Sequence, residues 1–534
     1  MKKLIPGGGN SPQRRRGAEP RIISAPQRLC GLFRNSSLAA LFLILACALP
    51  ASAVTPTIVQ RFFAGHMEPT PSSYPSTFTL QGWYPTRAGN TTILVFDWCL
   101  DQTTGCESNS SAPPAVSSVT DNNSNSWADI ITEADTSHDH IYKAMYACEQ
   151  CGSGITSITV TFAAATIGDF HWCLVEVENL GALDGTPVGA QSITGSSLSA
   201  GSITLSYSGD FFIQDCGQVM NGLGYDPLNP STNPFSGSPS PTWIFHDVIL
   251  NEMLGYVVES STGSKSISFS ESGNTSNRFV CVAAAFQTTA SGSGPAAGIT
   301  PDIQYTVTVG ASTSGQYVYV PFTTGELLVV YNEDVSAEPV VSDSATNSYV
   351  VLWEGAANWP AYAYSCGATG GDVGIDFKSS LAFFKVVAWR GIASSSCGDT
   401  SVSCTSPSST FTSSGNIGCK NSGSAAPPWN NAPNITPSKS GLILATMGVG
   451  TGPNGVPTSP SGATFMCTTY SGETDSEKFC DGDAFAWLLA TASTAETWDW
   501  PNANGSTSSS WNATAISFLP AAGVVRHRVM VIQQ

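Results

Sequence analysis

The chain has 534 residues, of which 41% are hydrophobic and 11% are charged, and its formal net charge at pH 7 is −18. This acidic balance excludes a surface built to bind nucleic acid or anionic lipid, because both carry negative charge themselves. The hydrophobic content also excludes a disordered acidic chain and predicts a folded protein with a polar, weakly charged exterior.

The first 53 residues have the organisation of a secretory signal peptide. Eight Lys and Arg residues precede an apolar run at 38–49, which is followed by the Ala-x-Ala cleavage site Ala51-Ser52-Ala53. The run is shorter than the ~20 residues that span a bilayer, so we expect no transmembrane span in the mature chain. Cleavage after Ala53 removes eight cations and one acid, which changes the net charge from −18 to −25.

Two other export routes stay open. Arg14-Arg15-Arg16 resembles a twin-arginine signal, although more than twenty residues separate it from the apolar run. Ile44-Leu45-Ala46-Cys47 resembles a lipoprotein cleavage box, and lipid anchoring through Cys47 is the alternative to release. We therefore expect a secreted protein, located outside the cell or at its surface.

The mature chain consists of short apolar segments separated by Gly, Asn, Ser and Pro. Residues 76–83 alternate between polar and apolar types, and 91–98 include a buried run, Ile93-Leu94-Val95-Phe96. No apolar period near 3.6 persists for ten residues. The pattern predicts an all-β protein of sandwich or jelly-roll type.

One turn sequence occurs twice. The stretches 119–127 and 341–349 share the pattern Val-x-Asp-x-x-x-Asn-Ser-aromatic at an offset of 222 residues. Asp and Asn bond their own backbone and tolerate left-handed φ, which predicts a structural turn. A calcium loop would need a later bidentate Glu and more acidic ligands.

Seven segments recur in the same order in the two halves, which predicts two tandem antiparallel β-sandwich domains related by internal duplication. The expected organisation is a signal peptide at 1–53, repeat 1 at 54–288, a Gly/Ser/Pro linker at 289–300, repeat 2 at 301–520 and a C-terminal tail at 521–534. The tail is either a last strand or a strand offered to a neighbouring molecule.

The two copies of this turn also carry a resemblance. A strand ending in Val-Thr-Asp before an Asn-containing turn and an aromatic residue resembles the repeat domains of uncharacterised secreted bacterial β-sandwich proteins. The resemblance covers both halves and implies immunoglobulin-like or jelly-roll layering. It implies no catalytic residues.

Thirteen of the fifteen cysteines follow the predicted signal, and in an exported protein they predict disulfides. The spacing groups the candidates, in order, into four pairs: Cys99, Cys106, Cys148, Cys151, Cys397, Cys404, Cys467 and Cys480. The second pair has redox-motif spacing but lacks the strand-to-helix context, so it predicts a structural bridge. Seven cysteines in repeat 1 leave one unpaired unless a bridge crosses the repeats.

Histidine is concentrated in repeat 1. His138 and His140 flank one residue of an extended segment, which places both imidazoles on one side, and His171 or Glu176 could complete a metal site. A divalent metal is the one cofactor that the sequence suggests. The alternative is an exposed polar loop.

Glu176 and Glu178 lie two residues apart in a strand and point to one face, so they are the best-placed pair for glycoside hydrolysis. A solvated strand face is the alternative, and no hydrolase elbow, phosphate loop or metalloprotease motif is present.

Three tryptophans occur in turn-like sequence beside Asn and Asp: Trp429, Trp498 and Trp500. Their indoles could stack on sugar rings or close a sandwich end. The leading hypothesis is therefore adhesion or glycan binding without catalysis, with an extracellular glycan or a surface protein as partner. The alternatives are a glycoside hydrolase or lyase with its site in repeat 1, and a structural subunit that assembles through its C-terminal strand.

Overall fold

The structure is a computed structural model that describes residues 54–64, 76–100, 112–135, 141–165, 167, 169–194, 197–219, 235–247, 252–271, 278–308, 317–335, 340–353, 359–378, 383–405, 408–411, 416–425, 433–449, 460–466, 469–470, 483–499 and 509–523. None of these residues lies in a helix, so the all-β prediction is confirmed for them. Within the same ranges, no helix of a length and apolarity able to cross a membrane is present.

The strands before residue 290 are β1 Thr57–Ala64, β2 Thr77–Gln81, β3 Thr91–Cys99, β4 Val116–Asp121, β5 Ala128–Ala134, β6 Tyr142–Cys148, β7 Ser157–Phe162, β8 Asp169–Glu178, β9 Leu180–Leu183, β10 Val188–Thr194, β11 Ile203–Leu205, β12 Asp210–Val219, β13 Phe235–Ser238, β14 Thr242–Asp247, β15 Glu252–Glu259, β16 Gly263–Lys265, β17 Ser268–Glu271 and β18 Arg278–Thr288. The later strands are β19 Thr300–Thr308, β20 Tyr317–Phe322, β21 Glu326–Val335, β22 Val340–Asp343, β23 Val350–Leu352, β24 Trp359–Ala368, β25 Gly371–Lys378, β26 Phe383–Arg390, β27 Ser403–Cys404, β28 Ser409–Thr410, β29 Gly418–Ala425, β30 Asn434–Thr436, β31 Gly441–Val449, β32 Thr464–Phe465, β33 Thr469–Tyr470, β34 Asp483–Ala490, β35 Glu496–Thr497 and β36 Ser509–Phe518.

A ten-stranded central sheet runs through both halves of the chain, in the order β23-β24-β21-β26-β19-β1-β8-β3-β6-β5. Its two halves meet where β1 pairs with β19 in parallel, with Arg61 opposite Ile303. Counted outward from this junction, the strand order is β1-β8-β3-β6-β5 on one side and β19-β26-β21-β24-β23 on the other. Each strand therefore has a counterpart eighteen strands later in the chain.

Each half covers its part of the central sheet with one small and one large sheet. In the first half, the small sheet containing β2, β7 and β4 packs in one core cluster with Leu94 and Phe96, and the large sheet of β12, β15 and β18 packs in the other with Ile93 and Val95. In the second half the assignment is reversed. The small sheet, with β20 and β25, packs in the second cluster, and the large sheet, with β31, β34 and β36, packs in the first. Parallel pairing of equivalent strands produces this exchange, since it relates the halves by rotation about an axis along the strands.

The repeated Asp turn has the same hydrogen bonds between its Asp and its Asn in both copies. Asp121 accepts backbone N–H groups from Asn123 at 2.7 Å and Asn125 at 3.3 Å, and Ser124 has a φ of 58°. The Asn125 amide also donates to this carboxylate and accepts from the backbone N–H of Gly152.

In the second copy, Asp343 accepts the backbone N–H of Asn347 at 3.0 Å and its side-chain amide at 2.8 Å, and Thr346 has a φ of 59°. The Asn347 amide oxygen then accepts from the backbone of Thr369 at 2.7 Å. The prediction of a structural turn is confirmed, because these donors satisfy the carboxylate as they do in Asx turns.

The predicted Cys148–Cys151 bridge is present. Cys397 and Cys404 do not bond each other, since Cys397 bonds Cys366 and Cys404 bonds Cys419. Sequence spacing could not show this, because pairing of distant strands brings the partners to Cα separations of 5.7 and 5.6 Å.

Four further cysteines are described. Cys216 bonds Cys281, directly opposite it on the neighbouring strand, and Cys99 is also disulfide-bonded. Cys173 is the buried free thiol among the described cysteines, in the half that has an odd number. Three candidates lie outside the described residues: Cys106, Cys467 and Cys480.

The Gly/Ser/Pro segment at 289–300 is held against the first half by side chains. Asn90 accepts the backbone N–H of Ser293 at 2.8 Å and donates to its carbonyl at 3.0 Å. Asn179 donates its backbone N–H to the Ser291 carbonyl at 2.9 Å. Specific contacts of this kind fix the path of a segment whose composition alone indicates flexibility.

Candidate functional site

Five ionisable side chains from five strands meet at one end of the first half: Asp97, Lys143, His171, Asp215 and Glu252, hereafter the Lys143 cluster. The strand register brings them together, because Asp97 of β3 pairs with Lys143 of β6 on one side and with His171 of β8 on the other. Asp215 of β12 and Glu252 of β15 face them from the large sheet.

Lys143 is at the centre of the cluster and is fully buried. Its Nζ donates to Asp215 Oδ2 at 2.6 Å, to Asp97 Oδ2 at 3.2 Å and to Glu252 Oε1. A Cβ at Gly217 would lie 2.9 Å from this ammonium, so glycine is the residue that leaves room for it. His171 Nδ1 is 3.1 Å from Asp97 Oδ1.

Burial and mutual charge shift the pKa values of these groups in different directions. Burial alone would lower the pKa of Lys143, but the charges of Asp215, Glu252 and Asp97 raise it well above its ordinary value. Burial raises the pKa of Glu252 strongly and that of Asp215 as well. Burial also opposes ionisation of Asp97, but Lys143 and His171 hold the pKa of this carboxyl below its usual range. The same surroundings thus favour ionisation of Asp97 and oppose ionisation of Asp215 and Glu252.

The second half has no comparable charge at the positions that correspond to Asp97 and Lys143. On β21 and β24 the paired residues are Tyr331 and Tyr362, both buried. They face the large sheet of the second half, as Asp97 and Lys143 face that of the first.

Asp215 also has a neutral counterpart. On β12, Asp215 lies on the face whose side chains point into the core. Thr446 lies on the corresponding face of β31. Thr446, Thr514 and Tyr362 form a closed hydroxyl triad with O···O distances of 2.5 to 2.7 Å. The positions of Asp97, Lys143 and Asp215 therefore hold neutral hydroxyls in the second half, whereas the position of His171 holds the buried Lys385.

The proposed catalytic pair is placed apart from this cluster. Glu176 is fully buried, and both oxygens accept hydrogen bonds, from Gln60 Nε2 at 2.7 Å, the Arg87 backbone at 2.8 Å and Asn90 Nδ2 at 2.6 Å. Burial raises the pKa of Glu176. Its role is to hold β1 and the loop before β3, while Glu178 is half-buried at the strand end.

Of the predicted metal and ligand residues, the structure describes two. His171 lies in the Lys143 cluster, whereas His138 and His140 lie outside the described residues. Trp498 is fully buried in a core cluster of the second half, so its indole forms no exposed platform in the structure. Trp429 and Trp500 lie outside the described residues.

A second group of charges joins the two halves at the β1–β19 junction. Asp302 accepts from Arg61 Nη2 at 3.1 Å, from Arg390 Nη2 at 2.5 Å and from the hydroxyl of Thr323 at 2.9 Å. Arg390 Nε is 3.1 Å from Glu326, whose pKa burial and the Asp302 charge raise to about 9. Asp302 remains ionised, because Arg61 and Arg390 outweigh its burial and lower its pKa.

Arg61, Asp302 and Arg390 of this network line a cavity of about 520 Å³, hereafter the junction cavity. Asp372 also lines it and is 2.6 Å from His246 Nε2. Its lining comes from both halves of the chain: Pro56, Thr57, Ile58, Arg61, Pro241, Thr242, Trp243, Tyr256, Asp302, Pro321, Phe322, Thr323, Gly371, Asp372 and Arg390. Arg61 Nε is buried and has no hydrogen-bond partner among the described residues.

Another cavity, of about 610 Å³, lies beside the 289–300 segment. Tyr84 and Arg87 line it together with residues of the segment: Ser293, Ala296, Ala297, Gly298 and Ile299. It brings together fewer ionisable side chains than the junction cavity does.

Sequence reasoning identified His171 but missed the other members of the Lys143 cluster and the junction network. The available signal was a single ionisable residue in an apolar strand, as with Lys143 among Tyr142–Cys148 or Asp97 after Ile93–Phe96. Such residues are rarely buried without a partner. Comparison with protein-family models, with curated proteins and with solved structures gave no significant match for this chain.

Proposed function

We propose that the mature chain is a secreted or cell-surface β-sandwich protein that binds a glycan without catalysis, and that the junction cavity holds the sugar. The observation that carries the proposal is the convergence of two arginines, two carboxylates and aromatic walls on one cavity. Ligand cavities of roughly 300–1,000 Å³ with a few placed polar groups are typical of small-molecule sites.

The chemistry of the cavity suits a hydroxylated ligand. Arg390, with 20% of its side chain exposed, offers charged donors in the lining, and Asp372, with 22% of its side chain exposed, offers an acceptor. Tyr256, which is only partly buried, supplies ring surface of the kind that packs against the apolar face of a sugar. The positive charges of the arginines and the negative charges of the carboxylates nearly cancel in this cavity. It therefore favours a neutral or weakly acidic sugar over a highly charged polymer.

We further infer that the two halves descend from one β-sandwich unit by duplication. The equal strand order of the two halves and the matching hydrogen bonds from Asn125 to Asp121 and from Asn347 to Asp343 support this inference. Export is supported by the disulfides together with the signal-like sequence at 1–53.

The test is a printed array of neutral and acidic oligosaccharides, followed by calorimetric titration of the best sugar. We expect saturable binding, and Tyr256→Phe should weaken it about tenfold by removing one hydroxyl from the lining. Reducing-sugar release is measured in parallel and should be absent.

The matched control is Tyr207→Phe, which makes the same chemical change at an exposed tyrosine outside the cavity. Its affinity should equal that of the wild type. Binding that is equal in both variants would remove the junction cavity from the proposal, and turnover of the sugar would show an enzyme instead.

A further inference from the structure

The Lys143 cluster contains more acidic groups than its own cations balance. Three carboxyls surround one ammonium, and their side chains are between 1% and 13% exposed. If all three ionise while His171 is neutral, two negative charges remain uncompensated. Uncompensated buried charge is strongly unfavourable, so the cluster requires either bound protons or a cation.

The three carboxyls are arranged so that Lys143 uses only one oxygen of each. It contacts Asp97 Oδ2, Asp215 Oδ2 and Glu252 Oε1. The other oxygen of Asp215 is buried and receives no hydrogen bond from any described residue. Asp215 is itself 1% exposed, so this oxygen is an unpartnered acceptor within the cluster.

Ligand atoms of Asp97, His171 and Glu252 all lie within 4.8 Å of one another. Asp97 Oδ1 and His171 Nδ1 are 3.1 Å apart. Two ligands each about 2.1 Å from a metal ion are separated by roughly 3.0–3.5 Å at octahedral or tetrahedral angles, so this spacing suits one shared ion.

We propose that the Lys143 cluster binds one divalent transition-metal ion of the Zn²⁺ or Mn²⁺ type, with Asp97, His171 and Glu252 as ligands. Two positive charges neutralise the cluster, and Lys143 contacts only one oxygen of each carboxyl. The imidazole favours these ions over Ca²⁺, which prefers oxygen ligands alone. The hydroxyl triad of the second half offers no such ligand set, so this mode of binding gives one ion per chain.

The experiment uses the purified mature chain after EDTA treatment and dialysis. Titration with ZnCl₂ and MnCl₂, with metal content measured by mass spectrometry, should give one equivalent per chain. Both Glu252→Gln and His171→Gln should lower the affinity at least tenfold. Glu149→Gln changes an exposed carboxylate just after β6 and should bind as the wild type does.

A second measurement does not depend on the variants folding. Pulsed electron paramagnetic resonance of the Mn²⁺-loaded wild type should show coupling to one coordinated histidine nitrogen, and metal should raise the Tm of the wild type in a concentration-dependent way. The proposal is overturned if the folded wild type binds neither ion saturably, if no nitrogen coupling appears, or if both glutamine variants bind normally.

Discussion

The indole of Trp127 donates a 2.8 Å hydrogen bond to the carboxylate of Asp121, six residues earlier in the same turn. In the second copy, the phenol of Tyr349 donates to Asp343 at 2.6 Å. The last position of the repeated pattern therefore requires more than an aromatic ring, because the ring has to carry a hydrogen-bond donor. Burial raises the pKa of Asp121, but the hydrogen bonds from Trp127 and its neighbours lower it. The net result is a pKa below the ordinary value.

Tyr349→Phe tests the contribution of this donor. The change keeps the ring and removes one hydrogen bond to a charged acceptor, so we expect a loss of about 2 kcal/mol in the free energy of unfolding, measured in urea. Tyr207→Phe, at an exposed tyrosine, should leave stability unchanged. An equal stability of wild type and Tyr349→Phe would show that the phenol is dispensable.

The junction network predicts that both halves unfold together. Asp302 binds Arg61 of β1 and Arg390 of β26, so Asp302→Ala leaves the buried guanidinium of Arg61 and the half-buried guanidinium of Arg390 without their shared partner. We expect a loss of about 3–5 kcal/mol, with one calorimetric transition in the wild type. Two well-separated transitions in the wild type would contradict this coupling, and Glu149→Ala at an exposed site is the control.

The disulfides should differ in their contribution to stability according to the loops they close. Cys216 and Cys281 are 65 residues apart, whereas Cys148 and Cys151 are 3 apart. Loop entropy predicts losses of about 4 and about 2 kcal/mol when each pair is replaced by alanine. Urea unfolding of the two double variants should give that order, and the reverse order would contradict the entropic argument.

The Asp184–Asp210 pair predicts a decline in stability as pH rises. Burial first, and then Asp184, raises the pKa of Asp210 to about 7, from an ordinary value of 3.8. The folded state thus retains a proton that the unfolded state releases. This contribution to stability is complete below pH 3.8 and is lost as pH rises through about 7.

Asp210→Asn should remove this dependence. The difference in unfolding free energy between pH 4 and pH 8 should be smaller in the variant than in the wild type, with the variant relatively favoured at the higher pH. Glu149→Gln should retain the wild-type slope. A steeper decline in Asp210→Asn would contradict the assignment.

Local features of the fold were predictable from the sequence because they depend on nearby residues. Alternation identified strands such as β2, and the Asp-x-x-x-Asn spacing identified both turns. The continuous central sheet was not predicted, since parallel pairing of β1 with β19 joins segments about 240 residues apart. Nothing in either strand specifies that partner.

The candidate sites were less accessible to sequence reasoning than the fold was. Members of the Lys143 cluster are separated by up to 155 residues and become neighbours only through strand register and the packing of two sheets. The distribution of histidine pointed to the first half, and His171 lies there in the cluster. No spacing linked it to Asp215 or Glu252.

Parallel pairing of β1 with β19 also fixes the polarity of the molecule. Because the two strands run in one direction, equivalent loops of the two halves emerge at the same end of the central sheet. An antiparallel junction would have sent them to opposite ends. The protein thus displays the equivalent loops of its two halves at one end of the sheet, where both can take part in the same surface.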